Sequence, residues 1–361
     1  MTKNGKEWLA RLLLLVISTS VMLVVVEFGL RTVIFSEAFN VPALRQLWRY
    51  ADNDTDDYWK IFAKLPTQQP AQTVGGIDPT LGWAPLASPD NPLGLVSDAP
   101  YAVDMKAPLI FFGDSFVAAA TEPKYAIPQA LDRLLADKTV YNYGVGGFGV
   151  DQIYMRFLEE VGKFEKPSVL IGILTQDLDR SILSIRTGQK PYFELEGDEL
   201  VVKNLPILPS TREYVDANPP QVMSYLWRLV AMRVSAVAPA KVAEMLNPRM
   251  ARRERSKKLN RRILRGFVDE AKRRDVDLKF VLFVPREDFA RDDWREVALK
   301  GWFEELGVSY FDTKAFVQSH LDRTGEKLND FYIVNNGHPN EKGNQLIAEG
   351  IAAWLGAVRA Q

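Results

Sequence analysis

The chain has 361 residues, 47% of them hydrophobic and 25% charged, enough apolar material for a packed core and too much for a disordered or fibrous chain. Its formal net charge of -1 excludes an electrostatic nucleic-acid binder, so no nucleic-acid partner is expected. There is no cysteine, which excludes disulfides, thiolate metal sites and cysteine nucleophiles, and the 2 histidines, His320 and His338, are the only imidazole bases available.

In chain order, Lys3, Lys6 and Arg11 precede a run without charge from Leu12 to Val26. Trp8 and Leu9 extend the run on one side, and Phe28 and Leu30 on the other. Glu27 and Arg31 stand at the i,i+4 spacing that lets them pair as the helix reaches an interface. Basic residues before an apolar helix place the N-terminus inside. The pattern predicts an uncleaved single-pass anchor over 1–35, with the lipid bilayer as its partner and the rest of the chain outside the cytoplasm. A cleaved signal peptide is the alternative, but its only small-residue site, Ser36-Glu37-Ala38, lies well beyond the apolar run. Residues 36–107 read as an extracytoplasmic lead-in rich in Asp, Pro, Gly and aromatics. Within it, Asp78-Pro79-Thr80-Leu81-Gly82-Trp83 reads as a turn followed by an anchoring tryptophan.

From Leu109 strand and helix patterns alternate. Strands are predicted over Leu109–Gly113, Thr139–Asn142, Ser168–Leu174, Leu278–Val284 and Val308–Phe311. Helices are predicted near Ala126–Leu135, Val150–Val161, Ser256–Arg274, Trp294–Leu306 and Glu341–Leu355. Five parallel strands joined by right-handed crossovers give a flavodoxin-like three-layer α/β/α sandwich over 108–358. An insertion at about 185–255 interrupts it and opens with a hairpin signal around Gly197-Asp198. It shapes a substrate cleft or serves as packing ornament. The stretch Arg249 to Arg274 is densely basic. Contact with anionic lipid headgroups is one reading; we favour a solvated helix face with Leu259, Ile263, Leu264 and Phe267 turned inward.

Four stretches carry residues suited to chemistry. The run ending in Gly113-Asp114-Ser115-Phe116 places a serine where a strand turns into a helix, its hydroxyl at the sheet's carboxyl edge and its N–H at a helix N-terminus. A polar structural turn is the alternative. Asn142-Tyr143-Gly144-Val145-Gly146-Gly147-Phe148-Gly149 follows the second strand, and its glycines let backbone N–H groups approach a substrate. Its spacing fits neither a dinucleotide fingerprint nor a phosphate loop. Thr175-Gln176-Asp177 at the third strand's end offers a side-chain amide to an oxyanion, or a helix start capped by Thr175 or Asp177. Asn335-Asn336-Gly337-His338-Pro339-Asn340 precedes the last helix and can bring His338 to Ser115 as a general base. His320 fits an ordinary helical surface position. No cluster has metal-ligand spacing, and no metal or cofactor is expected.

In this order, each at a strand's end, the four stretches resemble the SGNH (GDSL-type) hydrolase family, in its bacterial membrane-anchored branch. The resemblance implies Ser115 as nucleophile and His338 as base. It also implies an oxyanion hole from the Ser115 and Gly147 N–H groups with the Gln176 amide, supported by Asp114, Asn142 and Asp177. Two positions depart from the family pattern. Gln176 replaces an asparagine, and Asn335 and Asn336 stand where an aspartate would orient the histidine. The base is then oriented by a backbone carbonyl, by Asn335 or Asn336, or by another acid such as Asp330. The function implied is a membrane-tethered extracytoplasmic serine esterase or O-acyltransferase, with an acyl ester, such as one on cell-envelope polysaccharide, as substrate. A catalytically silent binding or scaffolding protein of polysaccharide assembly is the alternative.

Overall fold

The computed structural model describes residues 3–35, 75–97, 101, 103–135, 137–218, 224–235, 237–239, 242, 249–291, 293–333 and 336–356. Most of the predicted lead-in, including Ser36-Glu37-Ala38, lies outside the described residues. The chain forms two compact units, Met1–Gln68 with Ser210–Arg253, and Gln69–Pro209 with Glu254–Gln361. The predicted insertion is therefore shared between the two, its hairpin belonging to the larger unit.

In the smaller unit, α1 (Lys3–Phe35) is a single helix. Its stretch Glu7–Ile34, 28 residues, is long and apolar enough to cross a membrane. At the ~1.5 Å rise of a helix this is about 42 Å, against a hydrocarbon core of roughly 30 Å. Arg31 pairs with Glu27 at 2.8 Å, as the spacing predicts.

The larger unit begins with a small antiparallel pair, β1 (Gly76–Asp78) and β2 (Gly82–Ala84). The Asp78 carboxylate closes the turn between them by accepting the Thr80 and Leu81 N–H groups at 2.9 and 2.8 Å. Trp83 is buried behind this turn. Next come β3 (Leu109–Gly113), the one-turn helix α2 (Ser115–Ala118) and α3 (Ile127–Leu134). They are followed by β4 (Val140–Gly144), α4 (Val150–Glu160), β5 (Ser168–Leu174) and the short α5 (Asp177–Arg180). A hairpin of β6 (Tyr192–Glu196) and β7 (Glu199–Lys203) turns at Gly197-Asp198 as predicted. Among the described residues of the smaller unit's second segment, the helices α6 (Thr211–Ala217) and α7 (Tyr225–Ser235) follow. The long α8 (Arg249–Arg274) leads to β8 (Asp277–Phe283), α9 (Trp294–Leu306), β9 (Tyr310–Asp312), α10 (Thr313–Thr324) and α11 (Glu341–Trp354).

All five strands of the main sheet are parallel, in the order β4-β3-β5-β8-β9. That is the flavodoxin-like order, with a reversal at β3 that opens a crevice beyond the strands' carboxyl ends. Both faces are covered. Ile110 and Phe112 of β3 pack with Ile153 and Phe157 of α4, Ile263 and Phe267 of α8 and Phe303 of α9. Leu109 and Phe111 pack on the other face with Leu131 of α3, Val317 of α10 and Ile347 and Ile351 of α11. The two-residue alternation explains why β3 reads as a continuous apolar run: each face has its own helical layer.

The expected three-layer fold is observed, with three local differences. The second strand runs on to Gly144, because Asn142–Gly144 pair with Phe111–Gly113. A further helix, α10, follows β9 without a connecting loop and holds His320, which bonds Glu326 at 2.8 Å. The basic helix α8 begins at Arg249 and buries Leu259, Ile263, Leu264 and Phe267, as the solvated-face reading requires.

Candidate active site

The edge of β3 sets the position of Ser115. Asp114 is the N-cap of α2 and accepts the Phe116 N–H at 2.8 Å. Ser115 is then the first helical residue, so its own N–H has no partner within the helix and donates to no other described residue. Two residues of β4, Asn142 and Gly144, fit it to this turn. The Asn142 amide donates to the Val117 carbonyl at 3.1 Å and to Gln129 Oε1 at 3.0 Å, while its oxygen accepts the Gly144 N–H at 3.0 Å. At Gly144 a Cβ would lie 2.3 Å from the Ala118 nitrogen, so the strand can approach the turn only as glycine.

His338 reaches the serine from the loop before α11. Its Nε2 is 2.8 Å from Ser115 Oγ, and its ring lies 4.8 Å, centroid to centroid, from Phe116. The loop is pinned at both ends. The Ile333 N–H donates to the His338 carbonyl at 2.8 Å, and Asn340 caps α11 by accepting the Gly343 N–H at 3.0 Å. The other imidazole nitrogen, Nδ1, lies 3.1 Å from the Asn336 backbone carbonyl. A carbonyl only accepts, so Nδ1 carries the proton and Nε2 is left to accept from the serine hydroxyl.

Asn336 therefore meets the imidazole through its main chain. Its side-chain oxygen instead accepts the His338 N–H at 3.1 Å. Asn335 lies outside the described residues. Asp330 is engaged in its own turn, its carboxylate accepting the Lys327 N–H at 3.2 Å and its carbonyl accepting the Asn340 amide at 3.0 Å. The structure does not bring the Asp330 carboxylate to His338. A carboxylate that sequence reasoning missed, the exposed Glu287, lies against this loop. A Cβ at Gly337, whose φ is +73°, would sit 2.8 Å from Glu287 Oε2. Because the imidazole contact is a main-chain one, Asn336→Asp is expected to change kcat/KM for a small acetyl ester by less than about threefold. A large gain in steady-state hydrolysis would instead mean that the side chain can reach Nδ1.

The glycine-rich loop supplies a second free donor. Gly147 has φ +84°, a left-handed conformation that a side chain would strain, and its N–H donates to no other described residue. The loop is fixed from behind by Trp83, whose indole N–H donates to the Gly146 carbonyl at 2.9 Å. From the insertion, Thr187 places its hydroxyl oxygen 3.0 Å from where a Gly147 Cβ would be. Gln176 is half-buried at the N-cap of α5 and makes no side-chain capping bond, so its amide is not spent on the helix.

Arg180, also missed in sequence, joins three of the four stretches. Its Nη1 donates to Asp114 at 2.9 Å, to Asp177 at 2.6 Å and to the Phe148 carbonyl at 3.2 Å. Asp177 also accepts the Leu174 N–H at 2.9 Å and so ties the end of β5 into the same cluster; it does not cap the helix. Burial and the neighbouring Asp114 carboxylate push the Asp177 carboxyl well above its ordinary range, against the pull of the Arg180 guanidinium. The one signal in the sequence was the i,i+3 spacing of Asp177 and Arg180. Nothing local pointed to Asp114, 66 residues from Arg180.

No protein-family model matches this sequence, and no curated protein matches it. Solved structures are similar to it. One is described as a member of the lipolytic protein G-D-S-L family from Veillonella parvula, with 13% identity over 70% of this chain and 98% of that one, at a TM-score of 0.34. Another is an acetylxylan esterase from Geobacillus stearothermophilus, with 17% identity over 71% of this chain and 97% of that one, at a TM-score of 0.39. A third is the acetyl xylan esterase AlAXEase, with 10% identity over 70% of this chain and 100% of that one, at a TM-score of 0.39. The G-D-S-L description is that of the family the four sequence stretches resemble. At these identities and scores, the reading of the site rests on the Ser115–His338 pair and the donors around it.

Proposed function

We propose that the chain is an SGNH-type serine esterase, tethered to a membrane by α1, that cleaves or transfers acyl groups such as those on cell-envelope polysaccharide. The supporting observation is the 2.8 Å contact between Ser115 Oγ and His338 Nε2, with Nδ1 held by a carbonyl in the tautomer that makes Nε2 the base. Ser115 Oγ attacks the acyl carbon and its proton passes to Nε2. The oxyanion is held by the N–H groups of Ser115 and Gly147 and the Gln176 amide. The imidazolium then returns the proton to the leaving alkoxide. Water, deprotonated by His338, then attacks the Ser115 acyl ester; the bond to Oγ breaks, the imidazolium returns the proton to Oγ, and the acyl group leaves as a carboxylic acid, whereas a sugar hydroxyl in place of water yields an O-acyl ester.

Without an aspartate, the imidazolium is stabilised by a carbonyl dipole in place of a full charge. Replacing a triad aspartate by an amide costs about four orders of magnitude largely because the tautomer becomes wrong. The Asn336 carbonyl avoids that loss by accepting only from Nδ1–H.

A catalytically silent binding protein has no need of this pre-formed pair. The test is covalent labelling by a fluorophosphonate. The wild-type chain is expected to label stoichiometrically and the Ser115→Ala variant not at all; a folded wild-type protein that stays unlabelled would sink the esterase reading and favour the silent one.

A further inference from the structure

The helix α7 turns an apolar stripe to solvent. Trp227 is 61% exposed, Val230 43% and Val234 41%, and Val237, just past the helix, is 86% exposed. Spacings of three and four put Trp227, Val230 and Val234 on one face, while Tyr225 on the opposite side is buried. Such a stripe on a short helix is costly to leave in water.

Its attachment indicates what covers it. Glu27 of α1 accepts the Ser224 hydroxyl at 2.9 Å and the Tyr225 and Leu226 N–H groups at 3.0 and 2.9 Å, so it caps α7 together with Ser224, whose hydroxyl oxygen accepts the Trp227 N–H at 3.0 Å. Arg31 pairs with the same carboxylate and lies 5.2 Å from the centroid of the Tyr225 ring. Glu27 directly follows Val26, the last residue of the uncharged run. If α1 spans a bilayer, Glu27 stands where the helix leaves hydrocarbon. The start of α7 is thereby held at the level of the headgroups.

We propose that α7 is a second membrane contact, with Trp227, Val230 and Val234 lying in the boundary between headgroups and acyl chains on the side where the rest of the chain emerges. The inference rests on reading α1 as a membrane span. Tryptophan is suited to that boundary, and the exposed Arg233 beside the stripe can extend its guanidinium to the headgroups. Two contacts would restrict how α1 tilts and rotates, which a lone span does not.

The test uses the full chain in phosphatidylcholine vesicles whose acyl chains are brominated near the headgroup. The part of the tryptophan emission that Trp227→Phe removes is expected to be roughly twofold weaker in brominated than in plain vesicles. Equal emission in the two would overturn the contact. A Trp227 unquenched by bromolipid yet shielded from iodide would assign the stripe to protein and equally overturn it. Alkaline carbonate separates the underlying reading: release of the wild-type chain would overturn the span itself, whereas retention with an unquenched Trp227 overturns only the contact of α7.

Discussion

Ser115→Ala is expected to lower kcat/KM for a small acetyl ester by about four to six orders of magnitude without moving the unfolding midpoint. The hydroxyl makes no bond that the fold needs. Its one proton faces His338 Nε2, and the Asp114 carboxylate, 3.3 Å from Oγ, keeps its bonds to Phe116 and Arg180 when the serine is gone. His338→Ala should cost nearly as much, and the double variant little more than either, because a nucleophile and its base act as one unit. The residual rate would come from the Ser115-position and Gly147 N–H groups, which both substitutions leave in place. The measurement is steady-state hydrolysis with a chromogenic acetate, beside an unfolding curve for each variant. An alanine variant retaining a tenth or more of wild-type activity, as an order-of-magnitude threshold, would mean that a different residue is acylated.

The parts of this site that were legible in the sequence are those built from local pattern. The β3 run announces a strand buried on both faces, the turn after it isolates one serine, and the sequence holds only two histidines. Other features had no local signature. A main-chain carbonyl holds the His338 tautomer, and every residue has one; the amide side chains at 335 and 336 drew attention to a missing acid when the bond at issue was to the backbone. The predicted strand stops at Asn142 because a polar residue and a glycine rarely extend a buried strand, yet it runs on to Gly144. Here the amide is satisfied by Val117 and Gln129, and the glycine is needed for the approach to Ala118. The division of the insertion between two units depends on contacts of residues about 200 positions apart, such as Glu27 with Ser224 and Leu226, which no window of sequence contains.

The same limit applies to Arg180, whose removal should have the largest structural effect. Asp114 and Asp177 are both fully buried, and the guanidinium between them is the cation that each touches. Arg180→Met keeps the length of the side chain and deletes the charge, leaving two carboxyls facing each other in a site closed to water. Breaking a buried pair from one side costs about 3–5 kcal/mol. The pH dependence gives the expectation its sign. The folded Asp177 carboxyl already lies above its unfolded value of about 3.9, so its contribution to stability is full below that pH and is lost as pH rises through the folded value. Removing the guanidinium raises the folded value further. The deficit of Arg180→Met relative to wild type should therefore be smaller near pH ~4, where the Asp177 carboxyl is protonated with or without the guanidinium, and should grow as pH rises through the folded value. Activity should fall too, by about a hundredfold, because the Ser115 turn and the Phe148 end of the oxyanion loop lose the group that holds them together. Arg180→Lys separates charge from reach: an ammonium keeps the cation but not the fork, so it should recover most of the stability and less of the rate. Urea midpoints at two pH values, with hydrolysis measured beside them, check both halves. A methionine variant whose deficit is the same at both values would show that the cluster's contribution is packing rather than charge.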